Sequence, residues 1–433
     1  MYPSRRNFLR GVLTAAGAAT ATRTAAAQHV HQPTPPAPSA PSPPTAKTAP
    51  AAAASPPDDT PRGIVPVQTP DLPRLPWRME NGVKVFELVP EPVRTEFLPG
   101  RVVDAWGFNG SVPGPTVEAI EGERVRFVIT NRLPEPFSMH WHGIEVPIEM
   151  DGGPGISQDP IPPGGRFVYE FTLRQNGTFF YHSHMAMQEM MGMIGLFIIH
   201  PRQPHTPRVD RDFGLIFQGW AILPNNTIPN TLAMEFNWLT INGKAGPATT
   251  PMLVKHGERV RIRMVNLGMD HHPIHLHGNT FSITGTEAGR IRGTSYEPGN
   301  TVLLGVAQAR DIEFEATNPG DWMLHCHLPH HMMNQMVSMV GPLMVSHSDH
   351  AGHQSSAGAV AATAPNQGMV PGFPQDMFMA MDEAVAKPET YGLRPTWSAG
   401  MMGMMTLVRV LPPPLFDKIQ ALKAERAGKV ASR

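Results

Sequence analysis

From about residue 75 to about residue 347 the chain runs in short stretches of alternating apolar and polar residues. Residues 125–130, 166–173, 259–265 and 311–316 show this most clearly. Successive side chains on a strand point to opposite faces, so a period of two predicts half-buried strands. Proline and glycine turns separate the stretches, and no long amphipathic helix interrupts them. The expectation is an all-β protein of Greek-key β-sandwiches, with length enough for two domains of ordinary size.

The two ends depart from this pattern. Residues 1–27 read as an export signal. Ser4-Arg5-Arg6-Asn7-Phe8-Leu9-Arg10 has the form of a twin-arginine signal, a short apolar run follows, and Ala25-Ala26-Ala27 offers a small-residue cleavage site. The run is too short and too rich in alanine and glycine to span a bilayer, and no later stretch is long enough, so no membrane span is expected. The expected location is periplasmic or extracellular. Residues 28–74 read as a Pro/Ala-rich linker. Up to about residue 61 it holds too few large apolar residues to offset the entropy of ordering, and disorder is expected there. Residues 348–433 read as a Met- and His-rich tail, with 414–429 as a candidate helix. The net charge of −1 argues against nucleic-acid or membrane-surface partners, which would need a basic patch.

Between the ends the chain repeats itself. Gly122-Glu123-Arg124-Val125-Arg126 recurs as Gly257-Glu258-Arg259-Val260-Arg261, and an Asn-Gly step precedes each copy (Asn109-Gly110 and Asn242-Gly243). Eighteen residues past the motif's glycine, each copy opens a His-x-His pair: His140/His142 and His275/His277. A second pair closes each copy, His182/His184 and His325/His327. The predicted domains are 75–203 and 204–347.

The last pair encloses Cys326, the only cysteine in the sequence. An isolated cysteine is ordinarily a small buried hydrophobe, and a single one excludes an internal disulfide framework. Here it sits between two histidines on a strand, so His325 and His327 face one way and Cys326 the other. His331 and Met336 follow at spacings from which a loop can return to the cysteine. A thiolate, imidazoles and a weak axial thioether are the ligand set of a blue-copper centre. Superposing the copies places Phe137, Ser183, Gln188 and Met193 where the second has His272, Cys326, His331 and Met336. The first copy therefore lacks the thiolate and both imidazoles but keeps all four histidines of its pairs. Eight neutral imidazoles without a thiolate suit a copper cluster open to a small ligand.

As a set, His140-Trp141-His142-Gly143, His182-Ser183-His184, His272-Pro273-Ile274-His275-Leu276-His277-Gly278 and the Cys326 stretch resemble the four copper-binding motifs of multicopper oxidases. The resemblance covers residues 75–347 and implies two cupredoxin-like domains in tandem. It implies about four coppers per chain. The type 1 ion would be held by His272, Cys326 and His331 with Met336 axial, and the type 2 ion by His140 and His275. The type 3 pair would be held by His142, His182, His184, His277, His325 and His327. Electrons from a small reductant, Cu(I) or a phenol, would enter at the edge of His331 and cross Cys326 to His325 and His327, and O2 would be reduced to water. With only about ninety residues between His184 and His275, the chain resembles the two-domain, small-laccase branch. That branch implies a homotrimer with each cluster shared between two subunits. Asp151 matches the family's proton-supplying acid, although an Asp before Gly is also an ordinary turn residue. Pro329 stands where some relatives carry a second acid, and Glu189 is a candidate replacement.

Two other readings are a copper nitrite reductase, opposed by Ser183 and the eight retained histidines, and a non-catalytic copper-binding protein using the tail. The 27 methionines cluster at 185–193, 332–333, 377–381 and 401–405. Thioethers favour Cu(I) but are also flexible core filler. An exposed Met-rich tail would favour oxidation of Cu(I) over phenols.

Overall fold

The computed structural model describes residues 63–334, except 186, 224 and 225, and residues 380–431, without the side chains of 430 and 431. The export signal, the linker up to residue 62, Met336 and the tail from 348 to 379 lie outside the described residues.

The described chain is all-β with one terminal helix, as expected. In domain one, Trp77–Glu80, Val83–Leu88, Arg124–Thr130 and Arg166–Thr172 form one four-stranded sheet, in that spatial order. Val117–Ile120, Ile194–His200, Gly177–Ser183 and Met139–His142 form the opposing sheet. The alternation read from the sequence turns Phe127, Tyr169 and Phe171 inward to meet Trp141, Tyr181 and Phe197 from the other side. The rings of Phe127 and Trp141 lie 4.3 Å apart. Each such buried ring contributes roughly 1.5–3 kcal/mol by leaving water.

Domain two repeats the plan with a larger sheet, in which Trp238–Ile241, Arg211–Trp220, Arg259–Asn266, Gln308–Glu315, Phe281–Thr286 and Gly289–Arg290 follow in order. Facing it are Met252–Lys255, Met405–Leu411, Gly320–Cys326, His272–Leu276 and Thr301–Leu304. The internal repeat is visible in single bonds. Asn109 and Asn242 both adopt left-handed backbone (φ 50° and 51°). Each side chain bridges back to an earlier strand, Asn109 accepting from the Val89 N–H and Asn242 from the Ile216 N–H. Asparagine tolerates this backbone where most residues do not.

Two expectations about the ends are corrected. Residues 63–74 are no linker: Gln68 pairs with Phe213 of domain two and Arg74 with Thr116 of domain one. Nor are residues 380–431 a free tail. Met405–Leu411 runs parallel to Met252–Lys255 and antiparallel to the cysteine strand, with His325 opposite Met405. All seven of its residues are buried. The strand escapes a pattern reading because it is buried on both faces and does not alternate. Met401, Met404 and Met405 are accordingly core residues, not exposed thioethers. The helix follows as Pro413–Ala431 and packs on the sheet through Phe416 and Ile419.

The domains meet through buried charge. Thr178 of domain one donates to Asp311 at 2.6 Å and accepts from Arg263 at 2.8 Å, and Arg263 also pairs with Asp212. Beside them Gly177 lies so close to Gly289 that a Cβ on it would come within 2.7 Å of that residue's Cα. Among the described residues no helix is long and apolar enough to cross a membrane.

Candidate metal centres

Strand pairing brings the histidine pairs together in the same way in both copies. His140 lies directly opposite His182, and His275 directly opposite His325. A period of two then sets all four rings of each domain on one sheet face. In domain one the ring centres of His140, His142, His182 and His184 are 5.2–6.2 Å apart. In domain two those of His275, His277, His325 and His327 are 4.9–5.7 Å apart.

One ring nitrogen of several of these histidines is already engaged, which leaves the other for a metal. The Nδ1 atoms of His140, His182, His275 and His325 face the carbonyls of Asp151, Ser183, Asn300 and Cys326 at 2.8–2.9 Å. His182 Nε2 is buried with no hydrogen-bond partner, and His277 Nε2 and His325 Nε2 approach to 3.0 Å. Orphaned and mutually facing nitrogens of this kind fit a bound cation. Burial holds His142 down to about 4, and neighbouring imidazoles add to the effect. Burial likewise lowers His140, His277 and His325. These four rings therefore favour the neutral form and have lone pairs to offer.

Cys326 points to the other side of its strand, into domain two. Its Sγ lies 3.3 Å from His331 Nδ1 and 3.7 Å from His272 Nδ1, and these two nitrogens are 3.2 Å apart. All three residues are buried. Desolvation pushes the Cys326 thiol up to about 12 and holds His272 at about 3 and His331 at about 4. A soft sulfur and two neutral nitrogens converging in an apolar pocket fit a copper ion, and a bound cation would displace the thiol proton. Met336, expected as the axial ligand, lies outside the described residues.

The corresponding place in domain one is closed. Phe137 is fully buried in the core. Ser183 Oγ donates to Gln188 Oε1 at 2.6 Å, and Gln188 Nε2 donates to the Pro136 carbonyl at 2.9 Å. The polar atoms satisfy one another and leave no ligand set.

Carboxylates gather at the domain-one histidines. Asp151 Oδ1 lies 3.5 Å from His140 Nδ1 and Glu189 Oε1 3.0 Å from His182 Nδ1. Sequence reasoning missed Asp270, whose Oδ2 is 3.5 Å from His331 Nε2. His331 itself is buried, so its edge is reached past this half-exposed carboxylate rather than directly. A charge two residues before His272 was the available hint. Its contact with His331 depends on a loop far along the chain.

Every ring contact among the eight cluster histidines, within the described residues, stays inside its own set of four. His184 and His327 are exposed.

Two family models, both described as multicopper oxidase, match residues 91–204 and 223–341. The copper resistance protein A of Escherichia coli is 43% identical over 145 residues, 34% of this chain and 24% of that protein. Laccase-2 of Botryotinia fuckeliana is 31% identical over 245 residues, 51% of this chain and 41% of its own. The chain thus spans less than half the length of these relatives. Among solved structures, a blue copper oxidase from Nitrosomonas europaea superposes with a TM-score of 0.54 at 32% identity, covering 58% of this chain and 81% of that one. The family matches fall on the two sandwiches that carry the histidine pairs and the buried cysteine, and on these grounds the chain belongs to the multicopper oxidase family.

Proposed function

We propose that the chain is an exported oxidase that passes electrons one at a time from a small reductant to O2. His272, Cys326 and His331, with Met336 as the expected axial ligand, would hold a type 1 copper. His140 and His275 would hold a type 2 copper, and His142, His182, His184, His277, His325 and His327 a type 3 pair, about four ions per chain. Copper at these positions would supply one-electron redox chemistry at the cysteine site and four-electron reduction of O2 to water at the histidine cluster. The observation that carries this reading is the placement of Cys326 between His325 and His327. One strand presents sulfur to one side and two imidazoles to the other, so the two sites are joined by covalent bonds alone.

The remaining residues fit roles around those sites. Asp151 can hold a proton at Oδ1, within 3.5 Å of the His140 ring, and Glu189 can do the same beside His182. Pro329 can do neither. Asp270 sets a negative charge at the outer edge of His331, which suits a cationic donor such as Cu(I). The burial of Met401, Met404 and Met405 removes part of the case for a methionine-rich Cu(I) surface, so the donor class rests on Asp270. Two half-clusters that do not meet within the chain, with His184 and His327 exposed, support a homotrimer in which each cluster is shared. Export by the twin-arginine route to the periplasm or the cell exterior rests on residues 4–27.

Replacing Cys326 with Ser tests the reading. Intense thiolate-to-copper absorption should vanish and total copper should fall from about four per chain to about three. A blue band that survives in this variant, or a wild-type protein that never binds more than one ion, would overturn it.

A further inference from the structure

Domain one keeps a cleft beside the place that lost its copper ligands. Its volume is about 730 Å3, within the range of pockets that take small organic molecules and far larger than a lone ion needs. Trp106, Met187, Gln188, Met191, Ile228 and Glu135 line it. Gln188 is the positional counterpart of His331. The cleft therefore holds the place in domain one that a reductant would approach in domain two.

Hydrogen bonds tie two of its walls together. The loop carrying Ile228 belongs to domain two and is tied to domain one at Asp104. The Asp104 N–H donates to the Thr227 carbonyl at 2.9 Å, and the Thr227 hydroxyl donates to the Asp104 carboxylate at 2.5 Å. Met187 has left-handed backbone (φ 65°) and is 39% exposed. That conformation is uncommon for a long side chain and persists only where surroundings enforce it. At the Gln188 end, the amide oxygen accepts the Ser183 hydroxyl, and Ser183 sits between His182 and His184.

The charge around the cleft is not balanced. Arg94 is paired with Asp104 at 3.2 Å. The Glu135 carboxylate has no hydrogen bond or ion pair among the described residues, so one negative charge is left over. An indole, two thioethers and a free carboxylate recognise a flat ring that carries a positive charge. Sulfur packs well against aromatic rings, an indole attracts cations, and Glu135 supplies the counter-charge.

We propose that this cleft binds a small aromatic cation. The site binds without turning over, because Ser183 and Gln188 offer nothing that accepts an electron. This inference goes beyond the oxidase reading and stands apart from it.

Calorimetric titration of the full-length, copper-loaded protein with benzylammonium tests it, with benzyl alcohol and benzoate as neutral and anionic forms of the same ring. Saturable binding is expected in the order benzylammonium, benzyl alcohol, benzoate. Glu135→Lys, at an exposed position, should weaken benzylammonium by about fivefold and strengthen benzoate. Met191→Ala and Ile228→Ala should weaken all three. Absence of saturable binding by all three compounds would overturn the proposal. So would benzylammonium binding that ignores Glu135→Lys and Met191→Ala but disappears in Asp270→Asn, since the ligand would then sit at the His331 edge.

Discussion

Asp270 is the side chain that would set the character of the proposed electron entry point. His331 is buried, and its outer nitrogen faces a half-exposed carboxylate. On the proposed reading a donor that carries positive charge would be drawn to that edge, and a neutral one would not. Asp270→Asn should lower the oxygen consumption driven by Cu(I) about fivefold, the upper end of what a partly exposed opposite-charge contact is worth. Hydroquinone-driven consumption should change much less, and the blue absorption should persist. Equal losses for both donors would mean that Asp270 only positions His331. The histidines and the cysteine were legible in the sequence because a strand's period of two fixes which of them share a face. Asp270 was not, because its partner is brought to it by a loop. The vacated site was legible as a loss of ligands, but the Ser183–Gln188–Pro136 hydrogen bonds that close it were not.

The strand Met405–Leu411 changes what the C-terminal region is for. A chain cut after residue 348 would lose the strand that pairs with Gly320–Cys326, so it tests the sheet and not the donor preference of a tail. Truncation after residue 379 should abolish the blue band and leave domain two unfolded by proteolysis. A blue, protease-resistant protein after the truncation would show that the sheet closes without this strand. Met401, Met402, Gly403 and Met404 lead into the strand, which itself opens on Met405, and no polar alternation marks it, so composition masked a buried strand as a surface segment. The opposite error fell on residues 63–74, where prolines disguised a segment held by backbone pairing to both domains.

Two kinds of long-range order bear on the molecule as a whole. The first is the proposed subunit association. If each cluster takes four histidines from each of two subunits, the copper-loaded active form should sediment as a trimer. A fully loaded, active monomer would exclude a shared cluster. The second is buried charge. Glu313 is fully enclosed and paired with Arg261 at 2.9 Å and Arg290 at 2.5 Å. Burial alone would raise its carboxyl, but the hydrogen bonds and charges of Arg290 and Arg261 prevail and hold it down to about 2. Its folded value thus lies below the unfolded value of about 4.3. The stability it contributes is complete above that value and is lost as pH falls towards 2. The melting temperature should drop across this window. In Glu313→Gln the drop should flatten, and the protein should be less stable at neutral pH, because a buried arginine cluster is left without its counter-charge. An unchanged acid profile in that variant would assign acid sensitivity to other carboxylates.

The position of Met405–Leu411 also dictates an order of events during synthesis. Domain one is made long before this strand leaves the ribosome, and domains tend to fold in that order. The cysteine strand then waits with an open edge. Cys326 donates its backbone N–H to the Met404 carbonyl, and Met404 donates its own to the His331 carbonyl, so the loop that returns His331 to the sulfur is fastened by residues made well after it. A nascent chain stalled at residue 404 should therefore carry a protease-resistant first domain and a thiol that alkylates freely. Elongation past Met405–Leu411 should bury that thiol, so that only molecules containing this strand reach the state that can take up metal.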